Sequence, residues 1–375
     1  MNRVGINLVW MVPGVVGGSE SYLTRLLRGL AERSSELDFT VFALPSFADA
    51  HPALCRDFRV AYAPMSGDRK ALRVAGESSW LAYECRRRRL DLVHHGGGIL
   101  PLVHWGTPLI TIHDLQYLSY PDYFSAAKLR YLRLMVPRST HSAQLVLTPS
   151  EFTRTVVIDR MGADPRDVLV IPHGIAPVVR RNPTTDLRAR YDLPGPFFLY
   201  PAFTYPHKNH LVLLDAFTAV LKDHRHLRLV LTGGRGSAEA EVMRRVQVLG
   251  IEMQVRRLGY VSEHDLNSLY QEATALTFPS RYEGFGAPVL EAMARGCPVI
   301  AADTTALPEV VGRAGRLVAP DDAEGWAGAM KEIITDDDLR GALSAAGVER
   351  ARDFTWARAA ALLEDAYHLG LGRTR

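Results

Sequence analysis

The chain has 375 residues, 47% of them hydrophobic, and its 44 basic and 41 acidic residues leave a net charge of +3. That length predicts two domains, at roughly 100–200 residues each, and charges that nearly cancel argue against nucleic acid as the main partner. Three cysteines, Cys55, Cys85 and Cys297, lie far apart with no CxxC spacing, which argues against a disulfide framework or a zinc site and fits a reducing cytoplasm.

The first element in the chain is an apolar run over 4–12 of strand length, followed by Pro13-Gly14-Val15-Val16-Gly17-Gly18. Ser19 is the expected cap of a helix whose Leu23, Leu26, Leu27 and Leu30 recur at helical spacing. The N-terminus shows no basic leader with a small-residue cleavage site, and no apolar run reaches about 18 residues. A protein neither secreted nor membrane-spanning is expected. Further strands are predicted over 39–44, 91–94, 109–113, 145–148 and 168–171, with helical spacing between most of them. The run Arg86-Arg87-Arg88-Arg89 reads either as a solvated helix end or as a contact to an anionic surface such as the inner face of a membrane.

Proline, arginine and glycine are frequent from 172 to 196, with Asn182-Pro183-Thr184-Thr185 at the centre, which predicts an inter-domain linker. Alternation then restarts. Strands are expected over 197–200, 227–231, 255–258, 275–278 and 299–302, with helices over 210–221, 238–249, 263–272 and 287–295. Alternating strands and helices predict parallel sheets covered on both faces. The expected domains are 1–178, with a tail helix over 356–375 packing back on it, and 179–355.

In open α/β sheets ligands bind beyond the carboxyl ends of strands. The residues there are Gly17-Gly18, His113-Asp114, the stretch from Thr204 through Lys208 to Asn209, Gly233-Gly234, and Glu283 to Gly286. The last group belongs to FPSRYEGFGAPVLEAMARGCPV over 278–299, where a strand, a glycine loop and a helix starting near Pro288 follow in order. Glu283 falls in the loop and Glu291 in the helix, so one segment can grip two parts of one ligand. Backbone N–H groups beside a helix start suit a phosphate or a set of hydroxyls. Lys208, between a strand and a helix, suits a diphosphate or is merely solvated.

Gly17-Gly18 either admit a ligand to the backbone or make the turn into the helix. His113 is either a structural residue at a strand end or a partner for a sugar hydroxyl. His94-His95 point to opposite faces of a strand and do not form a metal pair. Gly233-Gly234-Arg235-Gly236 reads as a turn, and Asp336-Asp337-Asp338 as a helix cap. No GxGxxG follows the first strand and no Asp-x-Asp follows an apolar one, so neither nicotinamide chemistry nor metal-dependent sugar-nucleotide chemistry is expected.

The stretch PSRYEGFGAPVLEAMARGCPVIAADTTALPEVVG, with VVGGSE, ITIHDL, TPSEFTR, IPHGI, PHKNH, LGYVSEHDLNSLY and the closing FTW helix, resembles the retaining glycosyltransferases of family four, with their E-x7-E segment. The resemblance covers almost the whole chain. It implies the GT-B fold: two doubly wound Rossmann-like domains facing across a cleft, the first binding the acceptor and the second a nucleoside diphosphate sugar. It implies that Glu291 binds the ribose, that Glu283 and the backbone of Phe285 and Gly286 hold the donor sugar, and that Lys208 meets the diphosphate, with Thr204, Asn209, Gly233, Gly284, Ala287, Pro288 and Val289 completing the expected donor site. Leu258 and Tyr260 would flank the base, His113 would touch the sugar near the reaction centre, and Gly17 and Gly18 would lie under the phosphates or acceptor. Trp105, Gln116 and Tyr117 are acceptor candidates.

The family commonly has an arginine shortly before the lysine. Residues 202–207 contain none, and Thr204, His207 or an arginine from another loop, such as Arg235, is the expected substitute. The implied activity is metal-independent transfer of a hexose, mannose favoured, from a GDP-, UDP- or dTDP-sugar to the hydroxyl of a glycan, glycolipid or small metabolite, with no prosthetic group. A sugar-nucleotide 2-epimerase or hydrolase on the same fold, or a catalytically weak sugar-nucleotide-binding protein, would carry the same residues.

Overall fold

The computed structural model describes residues 1–15, 17–176 and 185–373. It divides into two compact units, Met1–Gly174 with Phe354–Arg375, and Ile175–Asp353. The centre of the expected linker, 182–184, and the expected boundary at 178 lie outside the described residues.

The first unit holds a seven-stranded parallel sheet of β1 (Arg3–Asn7), β2 (Asp38–Ala43), β3 (Arg59–Tyr62), β4 (Leu92–His95), β5 (Thr107–Thr111), β6 (Leu145–Thr148) and β7 (Val168–Val170), in the order β3-β2-β1-β4-β5-β6-β7. The second holds six parallel strands, β8 (Phe197–Pro201), β9 (Arg228–Thr232), β10 (Val255–Gly259), β11 (Ala275–Phe278), β12 (Val299–Ala302) and β13 (Arg316–Val318), ordered β10-β9-β8-β11-β12-β13. Central strands such as β4, β6, β11 and β12 are buried along their whole length, as a sheet covered on both faces requires. Edge strands β3 and β13 were not expected. Their partly exposed RVAY and RLV carry too little apolar signal.

Two boundaries differ from the sequence reading for local reasons. The first strand stops at Asn7, because the Asn7 side chain accepts from the Val9 N–H at 3.0 Å and turns the chain there. The following helix, Gly18–Ala31, is not capped by Ser19. Its N-cap is Gly17, at a φ of 74°. Glu20 then reaches back to accept from the Gly14 N–H at 2.8 Å and meets His51 Nε2 at 2.9 Å, fastening the loop from inside the helix. By contrast, Asp336 caps as expected, accepting from the Leu339 N–H.

The C-terminal helix, Trp356–Gly372, is capped by Thr355 and belongs to the first unit. Ala359, Ala360, Leu363 and Tyr367 join the core formed by Leu23, Leu26 and Leu30 of the first helix. Buried His94 bonds Tyr367 Oη through Nδ1 at 2.9 Å and Thr111 Oγ1 through Nε2 at 2.7 Å, so this histidine ties helix to sheet. Gly29 permits the approach, because a Cβ there would lie 2.8 Å from the Trp356 carbonyl oxygen. Gly29→Val should therefore destabilise the first unit by about 1–3 kcal/mol. Gly341→Ala, in a helix with nothing within 4 Å of the new methyl, should instead stabilise by about 0.4–1 kcal/mol. Chemical denaturation of both variants checks the pair.

Candidate active site

In each sheet the strand order reverses once, between β1 and β4 in the first unit and between β8 and β11 in the second. Loops leaving neighbouring strands diverge at such a point and open a crevice at their carboxyl ends.

In the second unit the crevice is bordered by the loop after β8, carrying Lys208, and the loop after β11, carrying Glu283. Lys208 Nζ lies 2.5 Å from Glu283 Oε1, with less than a fifth of either side chain exposed. The two loops are sewn together at one carbonyl: the Arg281 N–H donates to the His207 carbonyl at 2.7 Å, and buried Ser280 Oγ donates to the same oxygen at 3.4 Å. The Tyr200 hydroxyl donates to the Lys208 carbonyl. Asn209 adopts a left-handed φ of 57° and donates to Pro320 O at 2.6 Å, so its amide is structural. Lys208 directs one of its three donors at Glu283, and the Phe278 ring centroid lies 5.7 Å from its nitrogen.

Glu283 is held by its own backbone, since its N–H donates to Thr305 Oγ1 at 3.1 Å. Gly286 follows at a φ of 98° and begins the helix Ala287–Ala294, with Pro288 in the first turn. A Cβ at 286 would strike Leu307 at 2.5 Å. This combination of positive φ and contact admits only glycine. Along the helix, Glu291 Oε2 accepts from the Tyr270 hydroxyl at 3.2 Å, and burial keeps that phenol neutral, well above its usual range.

A second cluster closes the β9–β10 side. Gly233 has a φ of 103°, its N–H donates to Gly259 O at 2.8 Å, and a Cβ there would meet Ala202 backbone at 2.8 Å. Tyr260 is exposed, with its ring 5.6 Å edge-on from Phe203, and Leu258 lies partly buried in β10. Thr204 is fully buried, and its hydroxyl donates to Glu239 Oε2 at 2.6 Å while accepting from the Gly236 N–H at 2.7 Å.

None of the expected substitutes for the missing arginine presents a cation at Lys208. Thr204 is spent on the loop. His207 is held neutral, pushed down to about 3 first by burial and then by Lys208. The Arg235 side chain stands 87% exposed, 4.0 Å from Glu239. Sequence reasoning also missed Arg257, in β10, a largely buried cation that shapes the neighbouring loop. Its guanidinium donates to the Gly233 and Gly234 carbonyls at 2.7 and 3.1 Å and forks onto Glu239. An arginine inside the strand VRRLG, two residues before Gly259, was the available signal. Thr305, at a positive φ of 53°, had none.

In the first unit, a methyl at Gly17 or Gly18 would meet nothing within 4 Å, so the positive φ of Gly17 and not crowding selects glycine there. His113 follows β5, beyond its end at Thr111. Its Nε2 donates to the Gly96 carbonyl at 2.8 Å, leaving Nδ1 as the acceptor nitrogen, and burial holds the ring neutral. Trp10 and Tyr22 flank it at 6.3 and 5.5 Å between ring centroids. His95 accepts through Nδ1 from Asn7 Nδ2 at 3.2 Å, the same amide that donates to Glu77 Oε1 at 2.8 Å. His94 and His95 are therefore structural, and no metal-binding cluster occurs among the described residues. Tyr117 lies in the core with its hydroxyl buried. Gln116 begins a short helix, and Trp105 is partly exposed beneath the Arg86 guanidinium.

Residues 16–178 match Glycosyltransferase Family 4, and residues 196–336 match the family described as Glycosyl transferases group 1. The O-antigen chain mannosyltransferase B of Escherichia coli is 32% identical over 285 residues, 74% of each chain. The D-inositol 3-phosphate glycosyltransferase of Actinosynnema mirum is 30% identical across 98% of this chain and 97% of its own. Among solved structures, sucrose-phosphate synthase from Thermosynechococcus elongatus superposes with a TM-score of 0.81 at 22% identity over all of both chains. Anabaena HepE, in complex with UDP-glucose, gives 0.78 at 20% identity over 98% of this chain and 100% of its own. The chain belongs to the group 1, family 4 glycosyltransferases, and it is a transferase built from the two Rossmann-like domains of the GT-B fold.

The buried histidines set an acid limit. His94, His95, His173, His207 and His210 are each pushed down to about 3, first by burial. Unfolded, each would titrate near 6.5, so the unfolded chain binds more protons between these values. The stability is present above about pH 6.5 and falls as pH drops, by at most about 1.4 kcal/mol per pH unit for each histidine. Glu77, raised to about 7 by burial, acts in the opposite sense, but it is one group against five. Denaturation midpoints should be clearly lower at pH 5.5 than at pH 7.5, and equal midpoints would contradict neutral burial.

Proposed function

We propose that the chain is a retaining, metal-independent hexosyltransferase, with the second unit holding a nucleoside diphosphate sugar and the first the hydroxyl acceptor. The observation that carries this reading is the Lys208–Glu283 pair, set 2.5 Å apart at the strand-order reversal beside the start of the helix Ala287–Ala294. An ammonium and a helix N-terminus together suit a diphosphate, and the adjacent carboxylate suits sugar hydroxyls. The name of the E. coli relative supports a mannose-like sugar, and the UDP-glucose held by HepE supports a nucleoside diphosphate donor.

In this reading Lys208 meets the diphosphate. Glu283, with the backbone of Gly284, Phe285 and Gly286, orients the hexose, and Glu291 takes the ribose hydroxyls. Leu258 and Tyr260 flank the base, while Gly233 shapes the neighbouring loop. The bond from the anomeric carbon to the diphosphate oxygen breaks as the acceptor oxygen bonds the same carbon from the same face. The acceptor proton passes to the leaving phosphate oxygen. Negative charge grows on that oxygen, and Lys208 with the helix start stabilises it, commonly the largest catalytic contribution. His113, neutral with Nδ1 as acceptor, suits a bond from a sugar hydroxyl rather than a proton donation.

Lys208→Ala and Glu283→Ala should each lower turnover by about 10²–10³-fold while the melting temperature stays within a few degrees. Their effects should be far from additive in the double variant, because the two groups share one contact. Transfer rates from a mannose donor and the anomeric configuration of the product test this. Inversion at the anomeric carbon, or near wild-type rates in either variant, would refute it. Activity should persist in excess chelator. In a panel of GDP-, UDP- and dTDP-sugars, the true donor at about 100 times its Kd should stabilise the protein by about 2.7 kcal/mol.

A further inference from the structure

One face of the first unit has no part in the donor reading. Residues 69–89 contain seven basic and two acidic side chains, and 123–142 four basic and none acidic, whereas the whole chain nets only +3. The rest of the chain is therefore acidic on balance, and the positive charge is concentrated here. These stretches form one continuous surface. Lys70 Nζ sits 5.4 Å from the Tyr131 ring centroid, linking the helix Lys70–Gly76 to the helix Ala126–Ser142. Arg86 covers the Trp105 ring at 5.4 Å, the Leu102 N–H donates to Ser78 Oγ at 3.2 Å, and Arg138 donates to Leu100 O at 2.9 Å, so the 100–106 loop lies between them.

The same surface turns aliphatic and aromatic side chains outward. Seven of the fifteen exposed large hydrophobic residues among the described residues lie on it, including Leu72, Tyr83, Leu102, Val103 and Leu134, each more than half exposed. Glu84 takes up Arg87 and Arg88, but Arg69, Lys70, Arg86, Arg130 and Arg133 remain exposed. The cations are close enough to disfavour one another: the Lys70 ammonium is held below its usual range, first by burial and then by Lys128 and Arg73.

We propose that this face docks the protein on an anionic lipid bilayer. A polyanion such as nucleic acid would satisfy the cations yet leave the projecting leucines and valine in water. A bilayer takes both at once, with lipid phosphates at the arginines and the aliphatic tips a few ångströms deeper. Docking does not depend on the donor reading. A protein without measurable transfer would still bind vesicles.

Flotation with phosphatidylcholine vesicles, and with vesicles containing about one-third phosphatidylglycerol, tests this on the full chain. Binding is expected only to the second, and it should weaken as salt screens the charges. Arg86→Glu, Arg130→Glu and Arg133→Glu together should lower partition by at least about fivefold per removed charge, whereas Arg244→Glu with Arg313→Glu, on the second unit, should not. Val103→Ser with Leu134→Ser, which leaves the charge unchanged, should also lower partition severalfold. Melting curves identify variants that are folded. Equal binding to both vesicles, no binding to either, or binding indifferent to the Val103 and Leu134 changes would overturn the proposal. The last of these would leave a polyanion site.

Discussion

The arrangement of the candidate site depends on one topological constraint, the single reversal of strand order in each parallel sheet. Because β8 and β11 are neighbours while their following helices lie on opposite faces, the loops after them must part. Side chains further along each loop can then reach a space that no helix fills. In the second unit, those loops deliver Lys208 and Glu283 close enough to bond, although 75 residues separate them in sequence. Burial of the strands fixes the loops' take-off points, and the bonds from Arg281 N–H and Ser280 Oγ to the His207 carbonyl fix their approach. The chemistry thus rests on the core rather than on loop conformation alone.

The buried histidines show a different use of polar groups. His94 and His95 occupy adjacent positions of β4 and face opposite sides, one toward the C-terminal helix and the other toward Asn7 and Glu77. Each is neutral, so neither brings an uncompensated charge into the core, which would cost far more than the hydrogen bonds return. The Gly96 carbonyl that immediately follows them receives His113 Nε2. The structural pair and His113, a candidate site residue, are therefore joined through one peptide, and the geometry of His113 inherits the rigidity of the sheet.

Much of this was legible in the sequence, because continuous apolar runs separated by helical spacing leave little choice but covered parallel sheets. Positions at strand ends then make Lys208, Glu283 and His113 candidates. Short edge strands escaped because half-exposed RVAY and RLV have no period to detect. Ser19 misled because serine is a strong N-cap, whereas Gly17 reaches the cap position through a positive φ that composition does not display. The contact between Lys208 and Glu283 was invisible for another reason. The sequence assigned the two residues to separate parts of a ligand, and only the strand order sets them side by side.

In the proposed reading, that contact would let a site without the family's common arginine stay poised. An ammonium with no partner, mostly withdrawn from water, would carry a desolvation penalty, and Glu283 offsets it at 2.5 Å. Arg257 cannot share the task, because its donors are committed to Glu239 and to the Gly233 and Gly234 carbonyls, where it shapes the loop. In the proposed reaction a diphosphate would meet one lysine and one helix start. As the oxygen leaves, its growing charge would draw the ammonium away from Glu283 and free that carboxylate for the sugar hydroxyls. Loosening the pair would itself cost barrier height, so catalysis would gain only if the bonds from Lys208 to the leaving oxygen and from Glu283 to the sugar are stronger at the transition state than the contact they replace.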